Sequence, residues 1–269
     1  MLKTVVVNNS KTTYWFKDNK ASRTAVFIHG LCGDYRGLVE CSHYLNTVNV
    51  IILNLPGFGY SEPLLNMAHN LDGYANFILD FIEKLELEEI DLIGHSFGAS
   101  VSLTFFVKFP NKLNKLVLIS PIISESKTLS YRLAKGYFKF ASIFNDRIFH
   151  FLICNRVIVY ISDILIMTKS SKTIRHQILK EDYQNYRLAN AKTIRESFYA
   201  IDLEKIQLIN PNSIAVLAIV GEQDILSSKD NIKLLNKLPN VEIQILGGGH
   251  LVNQEEPKLV GETITKFLN

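Results

Sequence analysis

Cysteine is scarce in this 269-residue chain: Cys32, Cys41 and Cys154 stand at irregular spacing, with no CxxC pair and no Cys/His pattern suited to zinc. That excludes a disulfide-stapled scaffold and creates the expectation of a reduced, cytoplasmic protein. Long apolar runs are missing too. The greasiest stretch, 149–167, is broken by Asn155, Arg156 and Asp163, whereas a spanning helix needs about 18 nearly uncharged residues. The opening MLKTVVVNNSK offers only three valines before Asn8 and Asn9, short of the roughly 7 residues of a secretory apolar region. Internal repeats and low-complexity tracts are also lacking, which disfavours solenoids and disordered linkers.

What is present suits a folded domain. Hydrophobic residues make up 47% of the chain and charged residues 20%. A chain of this mass should keep roughly 12,000 Å² exposed against roughly 44,000 Å² when extended, so a core forms without covalent help. The net charge of +3 is unevenly spread: residues 121–200 hold 13 Lys/Arg against 6 Asp/Glu, and the rest is net acidic. The same block is aromatic, with Tyr131, Tyr137, Phe138, Phe140, Phe144, Phe149, Phe151 and Tyr160 inside 30 residues.

Before residue 121, short apolar runs alternate with helical periodicity. TAVFIHG (24–30), VNVIILNLPG (48–57), EIDLIGHS (89–96) and LNKLVLIS (113–120) read as parallel strands covered on both faces. Tyr74, Phe77, Ile78, Phe81, Ile82 and Leu85 recur at helical spacing, and 97–108 reads as a second helix stopping before Pro110. The first 20 residues fit an antiparallel pair at the sheet edge. Strand grammar returns at 214–221 and 241–248, with helices at 229–238 and 258–268. Between lies a block, 121–212, in which Leu129, Leu133, Tyr137, Phe140 and Phe144 follow one helical face, so it reads as a helical insertion into a core of 1–120 and 213–269.

The chemistry gathers at strand ends. GHSFG (94–98) is GxSxG between a predicted strand and a predicted helix, a turn that would hold Ser96 out from the sheet as a nucleophile. A serine hydroxyl needs a base, and the base needs an orienting acid. His250 follows the strand at 241–248 and Asp224 follows the strand at 214–221, so all three fall at the edge where open α/β sheets bind ligands. Glu125, after the strand 113–120, is an alternative acid, while Glu222 is too near its strand. The amides of Leu31, in HGLCG, and Phe97, after the nucleophile, are the expected oxyanion donors. His29 and His95 read as packing or supporting groups, and Cys32 as an apolar filler that could line a pocket. No metal-ligand spacing is visible, and no cofactor is called for.

HGLCG (29–33), NLPGFGYS (54–61), GHSFG (94–98) and the terminal GEQD and GGGH, in this order over nearly the whole chain, resemble the α/β-hydrolase superfamily, in its branch with a helical cap after the sixth strand. The resemblance implies an α/β fold with an eight-stranded, mostly parallel sheet, a catalytic triad of Ser96, Asp224 and His250, and a pocket between core and cap. One departure is Asn54, where the family pattern DxPGxGxS has an aspartate that is normally structural.

These residues point to a serine hydrolase of esterase or lipase type, acting on an apolar carboxylic ester, or a thioester or amide, through an acyl-enzyme. The same triad also serves carbon–carbon bond hydrolysis and cofactor-free lyase or peroxidase reactions, and the scaffold serves small-molecule receptors. An aspartate nucleophile is absent at position 96, which disfavours dehalogenase and epoxide hydrolase chemistry. The basic, aromatic block suits a lid, and its charge suits an anionic substrate or peripheral contact with an anionic membrane. Nucleic-acid binding is not expected, because no binding motif accompanies the charge.

Overall fold

The computed structural model describes residues 1–123, 128–168, 172–200, 214–226 and 229–269. Eight strands form one sheet: β1 (Leu2–Val7), β2 (Ser10–Lys17), β3 (Thr24–Ile28), β4 (Asn49–Leu53), β5 (Ile90–His95), β6 (Leu113–Ile119), β7 (Ala215–Gly221) and β8 (Val241–Leu246). Their spatial order is β1-β2-β4-β3-β5-β6-β7-β8. The expected N-terminal antiparallel pair is present, β1 on β2 and β2 on β4, and every later pairing is parallel.

Side chains alternate across the pleat, so each central strand feeds two cores. Val26 and Ile28 of β3 and Leu116 and Leu118 of β6 join one core with Tyr74, Phe77 and Phe81 of α2 (Leu71–Lys84) and Val101 and Phe105 of α3 (Phe97–Lys108). Ala25 and Phe27, Val117 and Ile119 face the other side, against Leu38 of α1 (Arg36–Ser42) and Val260 and Ile264 of α11 (Pro257–Leu268). Burial on both faces explains why these strands read as continuous apolar runs. The seven-residue α1 and the four-residue α10 (Val252–Glu255) are too short to show periodicity.

Among the described residues five helices lie between β6 and β7: α4 (Leu129–Ala141), α5 (Asp146–Ile153), α6 (Arg156–Ile166), α7 (Lys172–Leu188) and α8 (Ala191–Tyr199); α9 (Lys229–Leu235) follows β7. Of the limits expected for this insertion, 121 lies in the described residues just after β6, whereas 212, in 201–213, and Glu125, in 124–127, lie outside them. Asparagines cap three of these helices: Asn145 accepts from Ile148 N–H at 3.1 Å, Asn155 from Val157 N–H at 3.0 Å and Asn190 from Thr193 N–H at 3.1 Å.

The buried face of α4 differs from the expected one. Leu129 is 70% exposed, and Leu133 and Phe140 also face outward, whereas Phe138 carries the packing. Its ring stacks on Phe198 at 3.7 Å and meets the fully buried Phe149 edge-on at 5.2 Å. Both faces of α4 carry aromatic or aliphatic residues, so periodicity alone did not say which one turns inward. Among the described residues no single helix is long and apolar enough to cross a membrane, and α5 and α6 are bent by 53° at their junction.

Candidate active site

Ser96 sits where β5 turns directly into α3, with φ 54° and ψ −116°. A left-handed conformation is unfavourable for a residue with a side chain, by about 1–3 kcal/mol, and persists only where its surroundings hold it. Here Ser96 N–H donates to Ile119 O at 2.9 Å on the neighbouring strand. The turn is possible because its flanks lack side chains: a Cβ on Gly98 would lie 2.3 Å from Ile28 O, and one on Gly94 would lie 2.4 Å from Gly98 O.

Asp224 and His250 arrive from β7 and β8. A Cβ on Gly221, the last residue of β7, would lie 2.1 Å from Gly249 O, so the ends of the two strands touch only because that position is glycine. Ser96 Oγ lies 2.7 Å from His250 Nε2, and His250 Nδ1 lies 2.9 Å from Asp224 Oδ2. Leu226 N–H donates to Asp224 Oδ1 at 2.8 Å, which fixes the carboxylate. All three side chains are buried. The three residues named from sequence thus meet in one hydrogen-bonded chain, while Glu222 is exposed.

Leu31 and Phe97, the expected oxyanion donors, line the same cavity as Ser96. Phe97 is the first residue of α3, where backbone N–H groups lack intrahelical acceptors and the helix dipole is positive. The loop bearing Leu31 is held by His29, whose Nε2 accepts from Leu55 N–H at 3.0 Å and whose Nδ1–H therefore donates to Gly30 O at 2.8 Å. Burial lowers the His29 pKa, in keeping with a neutral ring used for support. His95 is similar: burial, and then His250, push its pKa down to about 3, and its Nε2 bonds His250 O at 3.1 Å.

Several supporting groups carry no sequence signal. Glu255 accepts from Gly249 N–H at 3.0 Å and from Thr168 N–H at 3.0 Å, and it also bonds the Thr168 hydroxyl. His250 N–H donates to Ile166 O at 2.9 Å, so the histidine loop is tied to the end of α6. Asn54 is buried and satisfied, accepting from Tyr35 N–H at 2.8 Å and donating to Thr13 Oγ1 at 2.8 Å. A neutral amide supplies both bonds, so the departure from the aspartate pattern leaves this corner intact.

A cavity of about 260 Å³ opens on Ser96 and His250. Its floor includes Gly30, Leu31 and Phe97, and its roof comes from the inserted helices, with Tyr131, Asp163, Ile166, Asp182 and Tyr186. Cys32 lines it as well; burial pushes its thiol well up, so it stays protonated. Among the described residues no group of three or more His, Cys, Asp or Glu could hold a metal ion.

Comparison with known proteins agrees with this geometry. An uncharacterized hydrolase of Bacillus subtilis, YugF, is 26% identical over 97% of this chain and 96% of its own length. The 2-hydroxy-6-oxo-2,4-heptadienoate hydrolase of Pseudomonas putida is 30% identical over 73 residues, 27% of this chain and 26% of that one. A thermophilic esterase of Thermogutta terrifontis superposes with a TM-score of 0.79 at 18% identity, covering 100% of this chain and 98% of the other. The family model for the alpha/beta hydrolase fold matches residues 25–257, and with the sheet and the elbow at Ser96 already described, the chain belongs to the α/β-hydrolase fold family and is an enzyme of hydrolase type.

Proposed function

We propose that this hydrolase cleaves a carboxylic ester of an apolar acid through an acyl-enzyme on Ser96. The observation that carries this reading is the unbroken chain from Ser96 Oγ through His250 to Asp224, opening on a largely apolar cavity. Ser96 Oγ attacks the ester carbonyl as its proton passes to His250 Nε2, and Asp224 holds the imidazolium that forms. The Leu31 and Phe97 amides receive the charge on the former carbonyl oxygen. Collapse of the tetrahedral species breaks the C–O bond, and the alcohol leaves with the proton from His250. Water then repeats the sequence on the acyl-enzyme and releases the acid. Thioester or amide cleavage would follow the same course.

In this reading residues 121–212 form a cap on a core of 1–120 and 213–269, and the cavity between them selects the acyl group. A series of p-nitrophenyl esters of increasing acyl length tests it. A peaked profile, with loss of turnover in Ser96→Ala of at least about 10³-fold, is expected. A flat profile near the uncatalysed rate in folded protein would reject ester hydrolysis.

Likeness to the heptadienoate hydrolase favours a second reading, carbon–carbon bond hydrolysis on the same three residues. Turnover of a 2-hydroxy-6-oxo-dienoate without turnover of any ester would select it. The surface of α4 to α6 supports peripheral contact with a membrane: Leu129, Leu133, Ile143, Phe151 and Val157 are exposed beside Arg132, Lys139, Arg147 and Arg156.

A further inference from the structure

Asp163, on α6, lines the same cavity as Ser96. It is 3% exposed, and its Oδ2 has no hydrogen-bond partner among the described residues. Buried polar atoms are almost always paired, because an unpaired one loses its hydration without recompense, so an orphaned oxygen on a residue that lines a cavity calls for a reason. A second acid, Asp182 of α7, lines the cavity beside it. Burial raises the pKa of Asp163, and Asp182 raises it further. Asp182 is itself raised by burial and by the neighbouring Glu181 and Asp34.

The surrounding cations offset this pair only slightly: Arg36 lowers the Asp182 pKa, but as the smallest of the influences on it. Arg36 is committed to Asp34, with Nε 2.9 Å and 3.1 Å from its two oxygens, and it also donates to Gln184 Oε1 at 2.9 Å. Lys135 of α4 lines the cavity and is engaged with another group. Nearby Cys32, Cys154 and Tyr186 all have pKa values raised by burial and are therefore uncharged. Asp163 and Asp182 thus line the cavity together, and Asp163 Oδ2 is left without a partner among the described residues.

We propose that Asp163 and Asp182 form a recognition subsite in the substrate cavity that takes a hydrogen-bond-donating group of the substrate, a hydroxyl or an ammonium. A hydroxyl would donate to the free Oδ2 while the pair retains a proton. An ammonium would replace that proton. Either satisfies the orphaned oxygen, and an aliphatic end group leaves it bare. A carboxylate is disfavoured there, so the local charge opposes the anionic substrate that the basic character of 121–200 suggests. This inference rests on the ester-hydrolase reading and narrows its substrate to esters that carry a donor away from the scissile bond.

The test separates binding from turnover. Matched ester sets end in methyl, hydroxyl, ammonium or carboxylate, on the acyl side in one set and on the alcohol side in the other, at several chain lengths. Binding to the inert Ser96→Ala protein is measured by titration calorimetry. A hydroxyl- or ammonium-ended ester should bind at least about ten-fold more tightly than its methyl counterpart. Which of the two wins identifies the donor. In Ser96→Ala with Asp163→Leu the ratio should fall to about two-fold or less; Asp163→Ala, which also removes the acceptor, serves if the leucine variant does not fold. Equal binding of methyl- and donor-ended esters, a carboxylate preference, or a donor preference that survives Asp163→Leu would each overturn the subsite. Wild-type turnover of the methyl esters is scored separately, so loss of ester hydrolysis with donor preference intact would reject the reaction and keep the subsite.

Discussion

Glu255 joins two segments distant in the chain, Thr168 just after α6 and the Gly249–His250 turn. Replacing it with alanine would leave two backbone N–H groups without an acceptor, each worth about 1–3 kcal/mol when buried. Glu255→Ala is therefore expected to lose about 2–4 kcal/mol in urea unfolding and to lower kcat more than it changes KM, because the imidazole is displaced while the cavity remains. Asp163 gives a prediction of opposite sign. Its pKa is raised on folding, so its favourable contribution is complete below the unfolded value of about 3.9 and is lost as pH rises towards the folded value. Asp163→Asn should thus gain stability over wild type as pH increases, by at most about 1.4 kcal/mol per pH unit in that window. Melting temperatures at pH 5 and pH 8 check it: the variant's advantage should be larger at pH 8. Ser96, Asp224 and His250 were legible in the sequence because each follows a predicted strand and a tight turn. Glu255, Asp163 and Asp182 were not, because their roles depend on what another part of the chain brings to them.

The elbow between β5 and α3 is the element on which the site depends. Gly98→Ala would push a Cβ to 2.3 Å from a backbone oxygen of β3, a neighbour that cannot yield as a flexible side chain would. The expected result is a loss of at least about 2 kcal/mol, or failure to fold, seen as a lowered unfolding midpoint. The strands were readable because both faces of β3, β5, β6 and β7 are covered, which turns burial into an unbroken apolar run. Helix α4 was readable as a helix but not in its orientation. Phe138 packs against Phe198 and Phe149, while Leu133 and Phe140 point outward. Phe138→Ala should therefore destabilise the protein by about 2–4 kcal/mol, whereas Phe140→Ala should change the unfolding free energy by less than about 0.5 kcal/mol.

At the scale of the whole molecule, charge and apolar exposure fall on the inserted helices. Ile143 is 78% exposed and Phe151 72% exposed on a segment rich in arginine and lysine. Flotation with vesicles containing anionic lipid should carry the protein upward at low salt and release it as salt rises, and substituting Phe151 and Ile143 with serine should weaken the association. Recovery entirely in the soluble fraction with anionic vesicles would remove the membrane role without touching the chemistry. The proposed chemistry depends on residues from three distant parts of the chain acting as one unit at the C-terminal edge of the sheet. Reaction with a fluorophosphonate followed by peptide mass mapping tests that claim most directly. The account expects a single adduct on the peptide containing Ser96, formed at least about 10³-fold more slowly in His250→Ala. Folded wild-type protein that takes up no probe, or takes it up elsewhere than Ser96, would contradict it.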